Sequence, residues 1–246
     1  MGITNQSSGM NILREKFNVK NEANQPVIAL AGNPNTGKST VFNALTGLNQ
    51  HTGNWPGKTV LQAQGIFRYQ ERVYRLVDLP GTYSLLANSS EEEVARDFIY
   101  FGHPDVTVVV SDATCLERNL NLVYQIMEIT PQVVLCLNLM DEARRKRINV
   151  DTEKLAGKLG IPVIPAIARE EVGLNELKET IARMIKGEIA TRPVLVKYDN
   201  EIEEALDVLI PRLASLLGEQ YNLRWLALKL LDGDKQIINL LETQRV

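Results

Sequence analysis

Two rhythms of apolar residues divide this chain. From Pro26 onward, short apolar runs recur at Val27 to Ala31, Val73 to Asp78, Val106 to Ser111, Val133 to Asn138 and Val163 to Ala166, with amphipathic stretches between most of them. Such short β-branched runs, largely apolar rather than strictly alternating, predict buried strands. Their alternation with helical patterns predicts right-handed crossovers and a mostly parallel sheet in an α/β domain, with ligands bound beyond the carboxyl ends of the strands.

After Gly187 the strand pattern stops. Ile202, Leu206, Leu209, Leu213, Leu216 and Leu217, then Leu223, Leu226, Leu230, Ile237 and Leu241, repeat at helical spacing, so a small all-α unit follows. Pro193 and Asp199-Asn200 mark its entrance, Pro211 suggests a kink, and Gly218 with the Asp232-Gly233-Asp234 turn divides it into about three helices. The first stretch, rich in Asn, Gln, Ser and Lys, lacks apolar periodicity and reads as mobile. The expected organisation is an N-terminal extension over 1–25, an α/β domain over 26–188 and a helical unit over 189–246.

Composition narrows the classes. A length of 246 residues suits one sizeable domain plus a satellite, and 44% hydrophobic with 23% charged residues is ordinary for a globular chain. The net charge of -3 supplies no global field for nucleic acid or an anionic membrane surface, so no nucleic-acid partner is expected. The two cysteines, Cys115 and Cys136, lack metal-ligand spacing and read as small core hydrophobes in a reducing compartment. No stretch approaches the roughly 20 apolar residues that span a bilayer, so this chain is expected to be soluble.

Three segments carry chemistry. Gly32-Asn33-Pro34-Asn35-Thr36-Gly37-Lys38-Ser39 follows a strand and opens a helix, the context a phosphate-binding loop requires. Its backbone N–H groups converge on phosphates, Lys38 reaches the β- and γ-phosphates, and the Ser39 hydroxyl ligates Mg²⁺. In Asp78-Leu79-Pro80-Gly81, Asp78 holds Mg²⁺ through water and the Gly81 N–H senses the γ-phosphate. In Asn138-Leu139-Met140-Asp141, Asp141 accepts from the two adjacent donors of guanine, a pair adenine lacks. The three together, in this order, select GTP over ATP.

With these motifs in place, the chain resembles the translation-factor-related GTPases, and within them the ferrous iron transport protein B (FeoB) family. The likeness rests on the phosphate loop, on Gly53-Asn54-Trp55-Pro56-Gly57-Lys58-Thr59, on Asp78-Leu79-Pro80-Gly81-Thr82-Tyr83-Ser84-Leu85 and on Asn138-Leu139-Met140-Asp141. It implies a P-loop GTPase fold with a mostly parallel six- or seven-stranded sheet, followed by a helical spacer domain. It also implies a GTP/GDP-binding, slowly hydrolysing switch that regulates Fe²⁺ uptake at the cytoplasmic face of the bacterial inner membrane. Implied partners are a transmembrane region beyond this chain and small cytosolic Feo accessory proteins, with a homo-oligomer left open.

Carried over residue by residue, the nucleotide contacts are Gly32 to Thr40, Gly57, Lys58, Thr59, Asp78 to Gly81, Asn138 to Asp141, and Ala166-Ile167-Ala168. Ile167 stands where the family commonly has Ser, and the Ala168 N–H is expected to meet the guanine carbonyl. Thr59 completes Mg²⁺ coordination with Ser39 and Asp78. Asn35, with the carbonyls of Gly53 and Trp55, holds K⁺. The catalytic set is Lys38, Asn35, Thr59 and Gly81. Thr82 occupies the position where many small GTPases carry a water-orienting Gln, so slow turnover is expected.

Other residues read more plainly. His51 and His103 have no metal-ligand spacing. Arg144-Arg145-Lys146-Arg147 reads as a solvated helix face, and Glu91-Glu92-Glu93 as a helix first turn. A soluble ribosome- or RNA-associated GTPase shares the phosphate-loop chemistry but usually adds a basic RNA-binding module. A nucleotide-dependent scaffold without meaningful hydrolysis remains a third reading.

Overall fold

The strand over Val27–Gly32 (β1) is buried at every position because it lies inside a sheet rather than at its edge. The computed structural model describes residues 17, 25–47, 50–86, 88–218, 221–235 and 237–238. Helix α1 (Lys38–Thr46) follows β1 and leads to β2 (Gln50–Asn54), β3 (Leu61–Tyr69) and β4 (Arg72–Asp78). Then come α2 (Ser90–Phe101), β5 (Val106–Asp112), α3 (Leu116–Ile129), β6 (Val133–Asn138), α4 (Met140–Arg145), α5 (Thr152–Leu159), β7 (Val163–Pro165) and α6 (Leu174–Ile185). The seven strands form one sheet in the order β2-β3-β4-β1-β5-β6-β7. Pairing is parallel from β4 through β1, β5 and β6 to β7, and antiparallel for β2 with β3 and β3 with β4.

All five apolar runs of the sequence are strands, matching the expected fold class. The remaining two, β2 and β3, lack an apolar run. β2 is Gln-His-Thr-Gly-Asn, a polar strand that among the described residues lies at the sheet edge and pairs with β3. In β3 the inward positions include Gln62 and Gln64, so polar residues occupy places where alternation is usually apolar. A large core joins Ile28 and Leu30, Val41 and Phe42, Val108 and Val110, Val134 and Cys136, and Leu177 and Ile181.

Cys136 is buried in β6, where burial pushes its thiol up to about 12. Cys115 departs from expectation. It is exposed, and its thiol donates to Asp112 Oδ2 at 3.4 Å, because the chain turns there from β5 into a short 3₁₀ segment instead of entering the core.

Contacts divide the chain between Val194 and Leu195. The second unit contains α7 (Asn200–Leu217) and α8 (Leu223–Leu231). Leu206 and Leu213 of α7, Trp225, Leu226 and Ala227 of α8, and Ile237 beyond them are buried in it, and Pro211 lies inside α7. Arg224 grips Glu203 with two guanidinium nitrogens, each at 2.8 Å, and this hydrogen bonding holds the Glu203 carboxyl down at about 2. Asp234 accepts from the N–H of Ile237, a start for the expected third helix, whose remainder with Leu241 lies outside the described residues. Among the described residues no helix is long and apolar enough to cross a membrane.

Candidate nucleotide-binding site

The three motif loops converge at the carboxyl ends of the parallel strands. Between β1 and α1 the chain turns through Asn35 at φ 66° and Gly37 at φ 83°. A Cβ on Gly37 would collide with the side-chain amide of Asn138, and one on Gly32 would sit 2.6 Å from the Val110 carbonyl. Both positions therefore require glycine, for backbone freedom at the first and for close strand packing at the second. The Thr36 hydroxyl donates to the Asn33 carbonyl at 2.9 Å and tightens the turn. The Asn33 side chain is 1% exposed, and neither of its amide atoms has a partner among the described residues. The loop thus keeps an unspent donor and acceptor at its root.

Asn138, at the end of β6 and 1% exposed, braces two of the loops. Its Nδ2 donates to the Thr36 carbonyl at 3.0 Å, and its Oδ1 accepts from the Ala168 N–H at 3.0 Å. Leu139 then adopts φ 61°, an unusual conformation for a branched side chain, costing of order 1–3 kcal/mol. That turn opens α4 and sets Asp141 in its first turn. The Met140 N–H reaches the Ala166 carbonyl at 3.3 Å, and the Ala166 N–H reaches that of Leu137 at 2.8 Å, so the third loop is fixed through backbone. Ile167 and Ala168 are buried there, at 8% and 3% exposure.

Asp141 Oδ2 accepts from Arg169 and lies 3.6 Å from Arg145. Its Oδ1 is buried and has no partner among the described residues. A buried carboxylate oxygen left unpaired costs free energy unless a ligand donor meets it. Arg144 to Arg147 are exposed, and Arg145 also pairs with Glu142 at 3.3 Å, so the basic run is a solvated face.

At the phosphate end, Lys38 and Asp78 form an ion pair. Burial pushes the Asp78 carboxyl above its ordinary range, against the opposing pull of Lys38. The Leu79 N–H meets the Leu30 carbonyl at 2.9 Å, and the Thr82 N–H meets that of Gly32 at 3.3 Å, tying the Asp78-to-Thr82 segment to β1. Thr82 is 5% exposed, while Gly81 faces solvent close to Pro34. Ser39 and Thr40 are exposed at the start of α1.

The two segments that flank the phosphate end are held by backbone bonds as well as side chains, the first by the Trp55 N–H on the Val60 carbonyl at 2.9 Å and the Lys58 N–H on the Trp55 carbonyl at 3.0 Å. In the first, Lys58 pairs with Glu93 at 2.6 Å, Thr59 and Gly57 are exposed, and Trp55 is buried. In the second, Ser84 donates to Glu92 at 2.7 Å, the Leu85 N–H to Gln125 at 2.6 Å, and Arg118 lies 4.4 Å over the Tyr83 ring. Ser89 caps α2 by accepting from the Glu92 N–H at 3.2 Å, so Glu91 to Glu93 do occupy a helix first turn. Two of these carboxylates also reach the flanking segments. Sequence reading missed that role, as it missed Arg169 and the bracing by Asn138, since no spacing in the chain foretells such contacts. Asn35 is exposed on the phosphate loop, while Gly53 lies in β2 opposite Gln62. Among the described residues no three His, Cys, Asp or Glu side chains gather as a metal cluster.

Comparison with known proteins agrees with this geometry. The family model for ferrous iron transport protein B matches residues 26–181, and that for the FeoB cytosolic helical domain matches 198–246. The Fe(2+) transporter FeoB of Methanocaldococcus jannaschii is 43% identical over 224 residues, covering 89% of this chain and 32% of the relative. A fusion of Fe(2+) transport protein A with the transporter FeoB, from Porphyromonas gingivalis, is 39% identical over 85% of this chain and 25% of its own length. This chain therefore spans about a third or less of these relatives. The GDP form of the cytosolic domain of the T. maritima FeoB iron transporter superposes with a TM-score of 0.82 at 35% identity, covering 91% of this chain and 86% of that one.

Proposed function

Because this chain belongs to the FeoB family, spanning its G domain and cytosolic helical domain, we propose that it is the GTP-driven switch of a longer Fe²⁺ transporter. It binds GTP with Mg²⁺, hydrolyses it slowly by attack of water, and turns nucleotide state into movement of the segments over 53–59 and 81–89. Those movements gate Fe²⁺ uptake through a transmembrane region at the inner membrane. The transport-protein-A fusion supports a small Feo accessory partner.

The observation that carries the reading is the buried Oδ1 of Asp141, without a partner among the described residues. The Ala168 N–H expected to meet the guanine carbonyl already donates to Asn138 Oδ1 at 3.0 Å, so base recognition rests on Asp141. A guanine ring offers Asp141 Oδ1 a donor. At the other end, the Lys38–Asp78 pair suits exchange: with nucleotide bound, Lys38 would meet phosphate and Asp78 would hold Mg²⁺ through water. Neither half-buried charge would then be left bare in either state.

Ser39, Asp78 and Thr59 are the proposed Mg²⁺ residues. Lys38 covers part of the charge that develops on the transferring phosphate. We assign the remainder to K⁺ held by Asn35 and the carbonyls of Gly53 and Trp55. With the Thr82 N–H spent on Gly32 and its side chain buried, water is oriented by other backbone groups or by another residue, and turnover is slow.

Asp141→Asn tests the assignment. The variant should lose GTP affinity by roughly tenfold or more, since a misplaced buried polar contact costs about 1–3 kcal/mol, and should gain xanthosine triphosphate. Unchanged GTP affinity, measured by titration, would sink the reading.

A further inference from the structure

Phe17 lies in the polar N-terminal stretch that precedes the family match at residue 26. Its ring meets Trp55 edge-on at 6.2 Å and Phe98 edge-on at 5.5 Å, and those two rings meet each other at 5.3 Å. Trp55 is 2% exposed and Phe98 wholly buried. The contact also has a polar anchor. Gln62, buried at an inward position of β3, donates from Nε2 to the Phe17 carbonyl at 3.0 Å. This bond accounts for a polar side chain where the strand pattern calls for an apolar one.

We propose that Trp55, Phe98 and Gln62 form a socket at the root of the first switch, occupied by the chain's own N-terminal extension through Phe17, and that this docking restrains the switch. The regulatory half rests on the reading of 53–59 as a nucleotide-responsive segment. Two features make the contact suited to release. The Trp55 indole N–H is buried without a partner among the described residues, so aromatic packing rather than a directed bond retains the ring. The socket also joins separate elements, because Trp55 belongs to the switch, whereas Phe98 sits on α2 and Gln62 on β3. Movement of Trp55 with the switch must break the three-ring cluster, so a docked Phe17 favours the conformation seen here. A GTP analogue that moves the switch then works against Phe17, while GDP does not.

The chain has two tryptophans, so Trp225→Phe leaves Trp55 as the sole indole reporter. In that background and without nucleotide, acrylamide quenching should rise severalfold in Phe17→Ala, stay low in Phe17→Tyr and be intermediate in Gln62→Ala. GMPPNP affinity should increase roughly tenfold in Phe17→Ala, with GDP affinity within about twofold. Equal quenching in the parent and Phe17→Ala would overturn the socket. Raised quenching with an unchanged ratio of GMPPNP to GDP affinity would overturn the restraint. Failure of both nucleotides to bind the parent would instead overturn the GTPase reading, which the nucleotide-free quenching does not touch.

Discussion

The phosphate and base loops are built differently from the two switch segments beside them. Asn138 ties the phosphate loop to the loop at Ala168 through two buried hydrogen bonds, and backbone contacts from Met140 and Ala166 complete the frame. The segments over 53–59 and 81–89 have a buried Trp55 and backbone bonds at Trp55, Lys58 and Thr82, but their remaining ties are partly exposed side chains: Lys58 on Glu93, Ser84 on Glu92, and Tyr83 beneath Arg118. Buried hydrogen bonds such as those of Asn138 are rigid and costly to break, whereas exposed ion pairs contribute little. On the proposed reading, the protein separates holding a nucleotide from responding to one.

The strongest test of that separation is Asn138→Ala. It orphans the Thr36 carbonyl and the Ala168 N–H, each at a cost of about 1–3 kcal/mol, so GDP affinity should fall by roughly a hundredfold or more, with a lower melting temperature. GDP titration showing only a fewfold loss would break the comparison. On the catalytic side, turnover should be faster in KCl than in NaCl of equal strength. Asn35→Ala should slow the K⁺-supported rate on the order of tenfold to a hundredfold and erase the salt difference, while GDP still binds through Lys38 and backbone. A variant that keeps its K⁺ response contradicts the proposed cation site. The smallest effect belongs to Glu93→Gln, which leaves Lys58 without its carboxylate. With side-chain exposures of 34% for Lys58 and 21% for Glu93, the pair is worth less than about 1 kcal/mol, so the GMPPNP to GDP affinity ratio should shift by less than about fivefold. A larger shift would show that the switch is as tightly built as the loops.

The three motif loops could be placed at the strand ends from sequence because each is a contiguous turn directly after a strand. Glycine at position 37 and the Asn-x-x-Asp spacing record local geometry directly. β3 escaped notice because Gln62 and Gln64 point inward, and the use found for Gln62 is a carbonyl 45 residues away. Cys115 was misread for a related reason. Its neighbours gave no sign that the chain leaves the sheet there and turns its thiol outward to Asp112.

By itself the sequence determined five buried strands, the three loops at their carboxyl ends, the helical unit after the sheet, and the kinship with FeoB. These follow from periodicity and from short-range backbone requirements, which neighbouring residues impose on one another. Only the tertiary structure decided the strand order, the pairing of Lys38 with Asp78, the bracing by Asn138 across 102 residues, and the seat of Phe17 on Trp55. Such contacts join groups far apart in the chain, and their energies exist only once the sheet has brought those groups within hydrogen-bond or van der Waals reach.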